Sequence, residues 1–161
     1  MKVLSTLIIT VLITATTILN FNILSPIKIT DDKIIIQKKL KHLGASEHKA
    51  KIYATAFKLA SHNTSISPDV LIALMYTESA MNEKAKSIKN YRGLMQIPWS
   101  IPYPDANIFI GAKILQEKLE ITNGDLLKAL YLYKGWGNNY QKGRGQVNQV
   151  VFITKKLKEI I

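Results

Sequence analysis

Residues 78–97 read ESAMNEKAKSIKNYRGLMQI, and the eleven before them, 67–77, read SPDVLIALMYT. The upstream piece is built to start a helix: Ser67 suits the N-cap, Pro68 the first helical position, and Asp69 the positive end of the helix dipole. From Val70 to Met75 the sequence is unbroken apolar, as in helices buried on nearly all sides. Leu71, Leu74, Met75 and Glu78 recur at i, i+3, i+4 and i+7, so the helix carries Glu78 in line with an apolar stripe. Desolvation in such a stripe disfavours the charged form of a carboxyl group, and a carboxyl that holds its proton near neutral pH is what a general acid needs. The plainer reading is that Glu78 marks where the helix reaches water.

The residues downstream favour the chemical reading. Gly93, Leu94, Met95, Gln96 and Ile97 form a glycine-initiated apolar segment with one amide in it, stopped by Pro98. A buried Gln needs partners or offers its amide to a ligand. Glu78-Ser79, Asn82, Ala85, Ser87 and the Gly93–Ile97 run together resemble the signature of the soluble lytic transglycosylases, relatives of goose-type lysozyme. That pattern is roughly E-S-x-x-N-P-x-A-x-S followed, after a short gap, by G-L-M-Q-[IL]. Glu83 stands where the family usually has Pro, and Tyr91 where a small residue is common; neither change removes a functional group. The resemblance implies Glu78 as the catalytic residue, with Ser79, Ser87, Met95 and Gln96 on the sugar groove.

A second segment extends the likeness. Residues 129–137, ALYLYKGWG, resemble the family's A-L-x-x-Y-N-x-G run, which adds Tyr133 as a groove residue near the glutamate. Lys134 replaces the usual Asn, and the glycines fall at 135 and 137. Asn107-Ile108, Gly111-Ala112 and Leu115 resemble the family's N-I-x-x-G-x-x-x-L helix, where close packing is the expected compensation for a helical glycine that costs about 1 kcal/mol.

Composition narrows the partners. With 47% hydrophobic residues the chain can bury a core, and with no cysteine it has no disulfide framework and no thiolate metal site. The formal charge of +11 suits an anionic partner. The basic residues are nearly all Lys, scattered, with no nucleic-acid-binding motif, so peptidoglycan or a membrane surface fits better than DNA or RNA. His42, His48 and His62 have no ligand-spaced companions, so no metal site is expected, and the reading requires no cofactor.

Residues 1–24 read as a signal peptide or, by slight preference, an uncleaved signal anchor. Lys2 is the short basic start, and 3–24 carries no charge and can just span a hydrocarbon core of about 30 Å. Partners on this reading are peptidoglycan glycan strands, the membrane through 3–24 if that segment stays uncleaved, and a larger envelope-spanning or phage assembly. The location is extracytoplasmic, on the periplasmic or cell-wall side.

Residues 25–30 read as a linker interrupted by Pro26, then 31–43 as a helix closed by Gly44. Further helices are expected at 46–61, 105–121, 125–134 and 147–161. Between the last two, 137–145 reads as a basic, glycine-rich loop. Three prolines in 97–104 exclude a helix there; Trp99 and Tyr103 suit sugar stacking or, more commonly, core packing. With no convincing period-2 pattern, the fold class is all-α: a lysozyme-like single domain over about 30–161, with 25–45 as linker and N-terminal helix and 46–161 as the catalytic part. The resemblance leaves residues 1–45 uncovered.

Ordinary glycosidases use two carboxylates. Glu83 lies off the helical face of Glu78, and Asp105 is the other nearby candidate. The lytic transglycosylase likeness implies one glutamate only, with the substrate's N-acetyl group and 6-hydroxyl supplying the rest and leaving 1,6-anhydro ends. A lysozyme-type hydrolase using water, and a non-catalytic wall-binding assembly protein, are the rival readings.

Overall fold

The computed structural model describes residues 25–137 and 139–161. The chain divides into two compact units, 1–34 and 35–161. The anticipated anchor at 1–24 lies outside the described residues; none of the described helices is long and apolar enough to cross a membrane.

Six helices and no sheet strand make up the described chain: α1 (Ser25–His42), α2 (Glu47–Thr64), α3 (Pro68–Ser79), α4 (Pro104–Ile121), α5 (Leu126–Tyr133) and α6 (Tyr140–Lys158). The all-α expectation holds. Two boundaries differ from it. Residues 25–30 are helical rather than a linker, because Pro26 falls in the first turn, where its missing N–H removes no intrahelical bond. The glycine-rich loop is shorter than expected: Asn139 caps α6, accepting from the Lys142 amide, and the helix runs through Gly143 and Gly145. At Gly143 the helix backbone passes so near its neighbours that an added Cβ would lie 2.6 Å from Trp136 Cδ1 and 2.9 Å from Tyr131 Cδ1. Close packing, which sequence propensity does not register, keeps the glycine inside the helix.

The central element is α3. Every residue from Asp69 to Met75 is buried, since the helix packs against both α2 and α6. Ser67 caps it through the Asp69 amide and Pro68 opens it. Burying Leu71, Ile72, Leu74 and Met75, all fully covered, contributes roughly 1.5–3 kcal/mol each. Tyr53, Ala56, Phe57 and Ala60 of α2 are buried, as their spacing anticipates, and α2 also packs along α4. Asp69 does more than complement the helix dipole: Lys39 of α1 reaches it at 2.7 Å in a nearly dry ion pair. Trp99 and Tyr103 belong to neither core nor pocket; they are 56% and 68% exposed. The prolines around them keep the segment out of the helices, as expected. His42, His48 and His62 are exposed.

Candidate active site

The last turn of α3 carries Glu78, and Ala80 and Met81 follow in left-handed conformation, φ 49° and 63°. Those two residues stop the helix and turn the chain into the 82–92 loop. Within the loop, Ser87 makes a turn of its own: its N–H donates to the Tyr91 carbonyl at 2.9 Å, and its Oγ accepts from the Tyr91 amide at 3.1 Å.

The Gly93–Ile97 segment is a tight turn closed by paired bonds between Arg92 and Ile97, 2.9 and 3.1 Å. Asn107, buried in the first turn of α4, fastens it. Its Oδ1 accepts from the Met95 amide at 2.8 Å and its Nδ2 donates to the Arg92 carbonyl at 3.3 Å. From α5, the Tyr133 hydroxyl donates to the Met95 carbonyl at 2.7 Å. Met95 is thus tied by its N–H to α4 and by its C=O to α5. Its side chain is fully buried and lies against Gly111, so Met95, anticipated on the groove, ties the turn in place and does not line the pocket described below. Gln96, the next residue, sits at φ 47° and donates its amide to the Ala85 and Gly93 carbonyls at 3.1 and 3.0 Å.

These elements enclose a pocket of about 500 Å³. Four of the anticipated residues line it: Glu78, Ser87, Gln96 and Tyr133. Ser79 does not; its hydroxyl donates back to the Met75 carbonyl at 3.2 Å. The structure adds residues that sequence reading did not single out for the site: Lys86 and Lys89 from the loop, Lys134 and Trp136 after α5, and Gln146 from α6. Trp136 Nε1 donates to Gln146 Oε1 at 3.2 Å across the junction of these last two elements.

Glu78 is the pocket's single carboxylate among the described residues. Both candidate second acids are elsewhere. Asp105 is exposed on α4, and Glu83 accepts from the Tyr53 hydroxyl and faces Lys49 at 3.7 Å. Position 83 therefore has a structural use of its own. The surroundings of Glu78 differ from the apolar stripe expected. Lys134 Nζ lies 2.7 Å from its Oε1 in an ion pair whose side chains are 3% and 16% exposed. Burial first, and the charge of Glu78 second, hold the Tyr133 phenol well above its ordinary range, so it acts here as a neutral hydrogen-bond donor.

The ending of α5 explains how a lysine comes to be there. Gly135 takes φ 74°, its N–H donates to the Leu132 carbonyl, and the Trp136 N–H donates to that of Tyr131, 3.1 and 2.9 Å. This double closure is a Schellman motif. It fixes Lys134 at the C-cap, directly after Tyr133, with both side chains on the pocket.

Comparison with known proteins agrees on part of this region. Residues 55–101 match the family model described as Transglycosylase SLT domain. That span covers the second half of α2, all of α3, the 82–92 loop and the Gly93–Ile97 turn, and leaves out α5. No curated protein and no solved structure matches the chain.

Proposed function

We propose that this chain is a peptidoglycan lytic transglycosylase, acting outside the cytoplasm on the glycan strands of the cell wall, with Glu78 as its sole acid and base. The observation that carries the reading is the lone carboxylate in the pocket, within a segment that matches the transglycosylase family. A retaining hydrolase needs a second carboxyl at about 5 Å, and an inverting one needs it farther off across the cleavage point; the other two candidates lie away from this pocket.

One carboxyl is enough for the steps to balance. Protonated Glu78 gives its proton to the glycosidic oxygen as the C1–O bond breaks, and the N-acetyl carbonyl of the cleaved sugar supports the positive charge at C1. The resulting carboxylate takes the proton from the sugar's 6-hydroxyl as that oxygen bonds to C1. The product is a 1,6-anhydro-N-acetylmuramic acid end, and Glu78 is again protonated. Attack within the same molecule carries an effective concentration that reaches about 10⁵ M in well-oriented cases, ahead of bulk water. Ser87 and Gln96 stand on the pocket wall to hold the sugars.

The test is digestion in heavy-oxygen water followed by mass spectrometry of the released muropeptides. Anhydro ends contain no solvent oxygen and weigh one water less than hydrolysed ends. Predominantly labelled reducing ends would instead mean a lysozyme-type hydrolase. No digestion by the intact, folded chain would leave the wall-binding reading.

A further inference from the structure

Lys134 is the unusual member of this pocket. Its side chain is 3% exposed, although an ammonium is costly to remove from water unless it is paired and hydrogen-bonded. The two groups it meets both lie on the final turn of α3: Thr77 Oγ1 at 3.1 Å and Glu78 Oε1 at 2.7 Å. Thr77 in turn donates its hydroxyl proton to the Leu74 carbonyl at 2.9 Å, which leaves its lone pairs for the lysine. The chain of contacts runs from the α3 backbone through Thr77 to Lys134 and on to Glu78. Its far end is anchored by the Schellman closure of α5.

We propose that Lys134 is a positioning residue for Glu78. It holds Oε1 by a charge-assisted bond and thereby directs the other carboxylate oxygen to the substrate. It also stabilises the negative charge that Glu78 acquires as the glycosidic oxygen takes its proton. This rests on the reading of Glu78 as the acid. A side chain held at one oxygen has one fewer torsion to search, and reactions that depend on near-attack geometry lose heavily from small misplacements. A fixed ammonium beside a carboxylate that forms in the transition state acts with little reorganisation. Lysine has three donors and no acceptor, so it can fill this place without competing for the proton that Glu78 passes on.

The experiment compares steady-state cleavage of soluble peptidoglycan fragments by the full chain and four variants. Lys134→Met keeps the length and removes the charge, Lys134→Arg keeps the charge, and Lys134→Gln keeps a neutral donor should the Met variant fail to fold. Glu78→Gln is the reference. The Met variant, or the Gln variant in its place, should lose at least about tenfold in kcat with KM within about twofold, the pattern of a group that acts on the chemical step and not on substrate binding. The Arg variant should regain much of that loss, which a merely structural defect would not grant to a bulkier side chain. A parental or higher kcat without the charge overturns the proposal, as does a rise in KM at constant kcat, which would make Lys134 a substrate-binding residue. Glu78→Gln should fall by at least about a hundredfold. If it does and the lysine variants do not, only the role of Lys134 is lost; if it keeps parental activity, the functional reading itself falls.

Discussion

Gly111 of α4 and Met95 of the Gly93–Ile97 turn meet with no room for a methyl group between them: a Cβ at Gly111 would fall 2.4 Å from Met95 Cβ and 2.7 Å from its Cγ. Because Asn107 and Tyr133 hold both backbone groups of Met95, the methionine cannot back away without moving Gln96 as well. Gly111→Ala should gain up to about 1 kcal/mol in helix propensity and lose about 1–3 kcal/mol to overpacking. The expected net result is a less stable protein with impaired cleavage, read by urea denaturation and wall digestion. A stabilised, fully active Gly111→Ala variant would show that the turn is not fixed by this contact.

The two buried phenols make stability sensitive to alkali. Tyr133 is raised by burial and then by Glu78; Tyr53 is raised by burial and then by its bond to Glu83. The unfolded chain releases a tyrosine proton near pH 10, whereas the fold retains it to higher pH. The preference for the folded state from these groups is therefore intact below about pH 10 and is lost as pH rises above it. The melting temperature should fall above that point, and Tyr133→Phe should flatten the fall. An alkaline decline equally steep in Tyr133→Phe and Tyr53→Phe variants would rule out these two groups as its source.

Lys39 and Asp69 form a pair with side chains 11% and 10% exposed, joining α1 to the start of α3. Breaking a buried pair by removing one partner typically costs about 3–5 kcal/mol, because the other charge stays behind in a poor solvent. Lys39→Met alone should destabilise the protein on this scale, while Lys39→Met with Asp69→Leu should recover most of the loss. Chemical denaturation of the parent and these two variants measures the difference. Equal losses in the single and double variants would mean that packing, not the stranded charge, is responsible.

Lys86 and Lys89 line the pocket from the loop side, where Glu78, the one acid on the wall, already has the Lys134 ammonium 2.7 Å away. The pocket therefore favours strands that carry carboxylates. Charge-neutralising Lys86→Gln and Lys89→Gln together should raise KM severalfold at low salt. Because these lysines are exposed, salt above about 0.1 M should erase much of the difference. Rates compared across a salt series decide it, and a salt-independent difference would argue for direct shape contacts instead.

Much of this molecule is legible along one stretch of chain. The cap at Ser67 and the stripe from Leu71 to Glu78 each read from residues within a few positions of themselves, whereas Tyr133 and the Gly93–Ile97 run stood out through their likeness to a family pattern. Helix periods, caps and turns are local physics. The lone carboxylate is likewise suggested by the scarcity of acids around it. Contacts between residues far apart cannot be read in that way. Lys134 meets Glu78 across 56 positions, Tyr133 reaches Met95 across 38, and Asn107 reaches it across 12. Each depends on how helices α3, α4 and α5 pack, and side-chain identity alone does not specify a partner. The same holds for glycine. At 143 it resembles a loop former in sequence and is a contact surface for Trp136 in space. Sequence alone determined that the chain forms helices and presents Glu78 at the end of a buried one. Tertiary packing decided what surrounds that carboxylate, because the energies of burial and of charge pairing are set by neighbours that only the folded chain brings together.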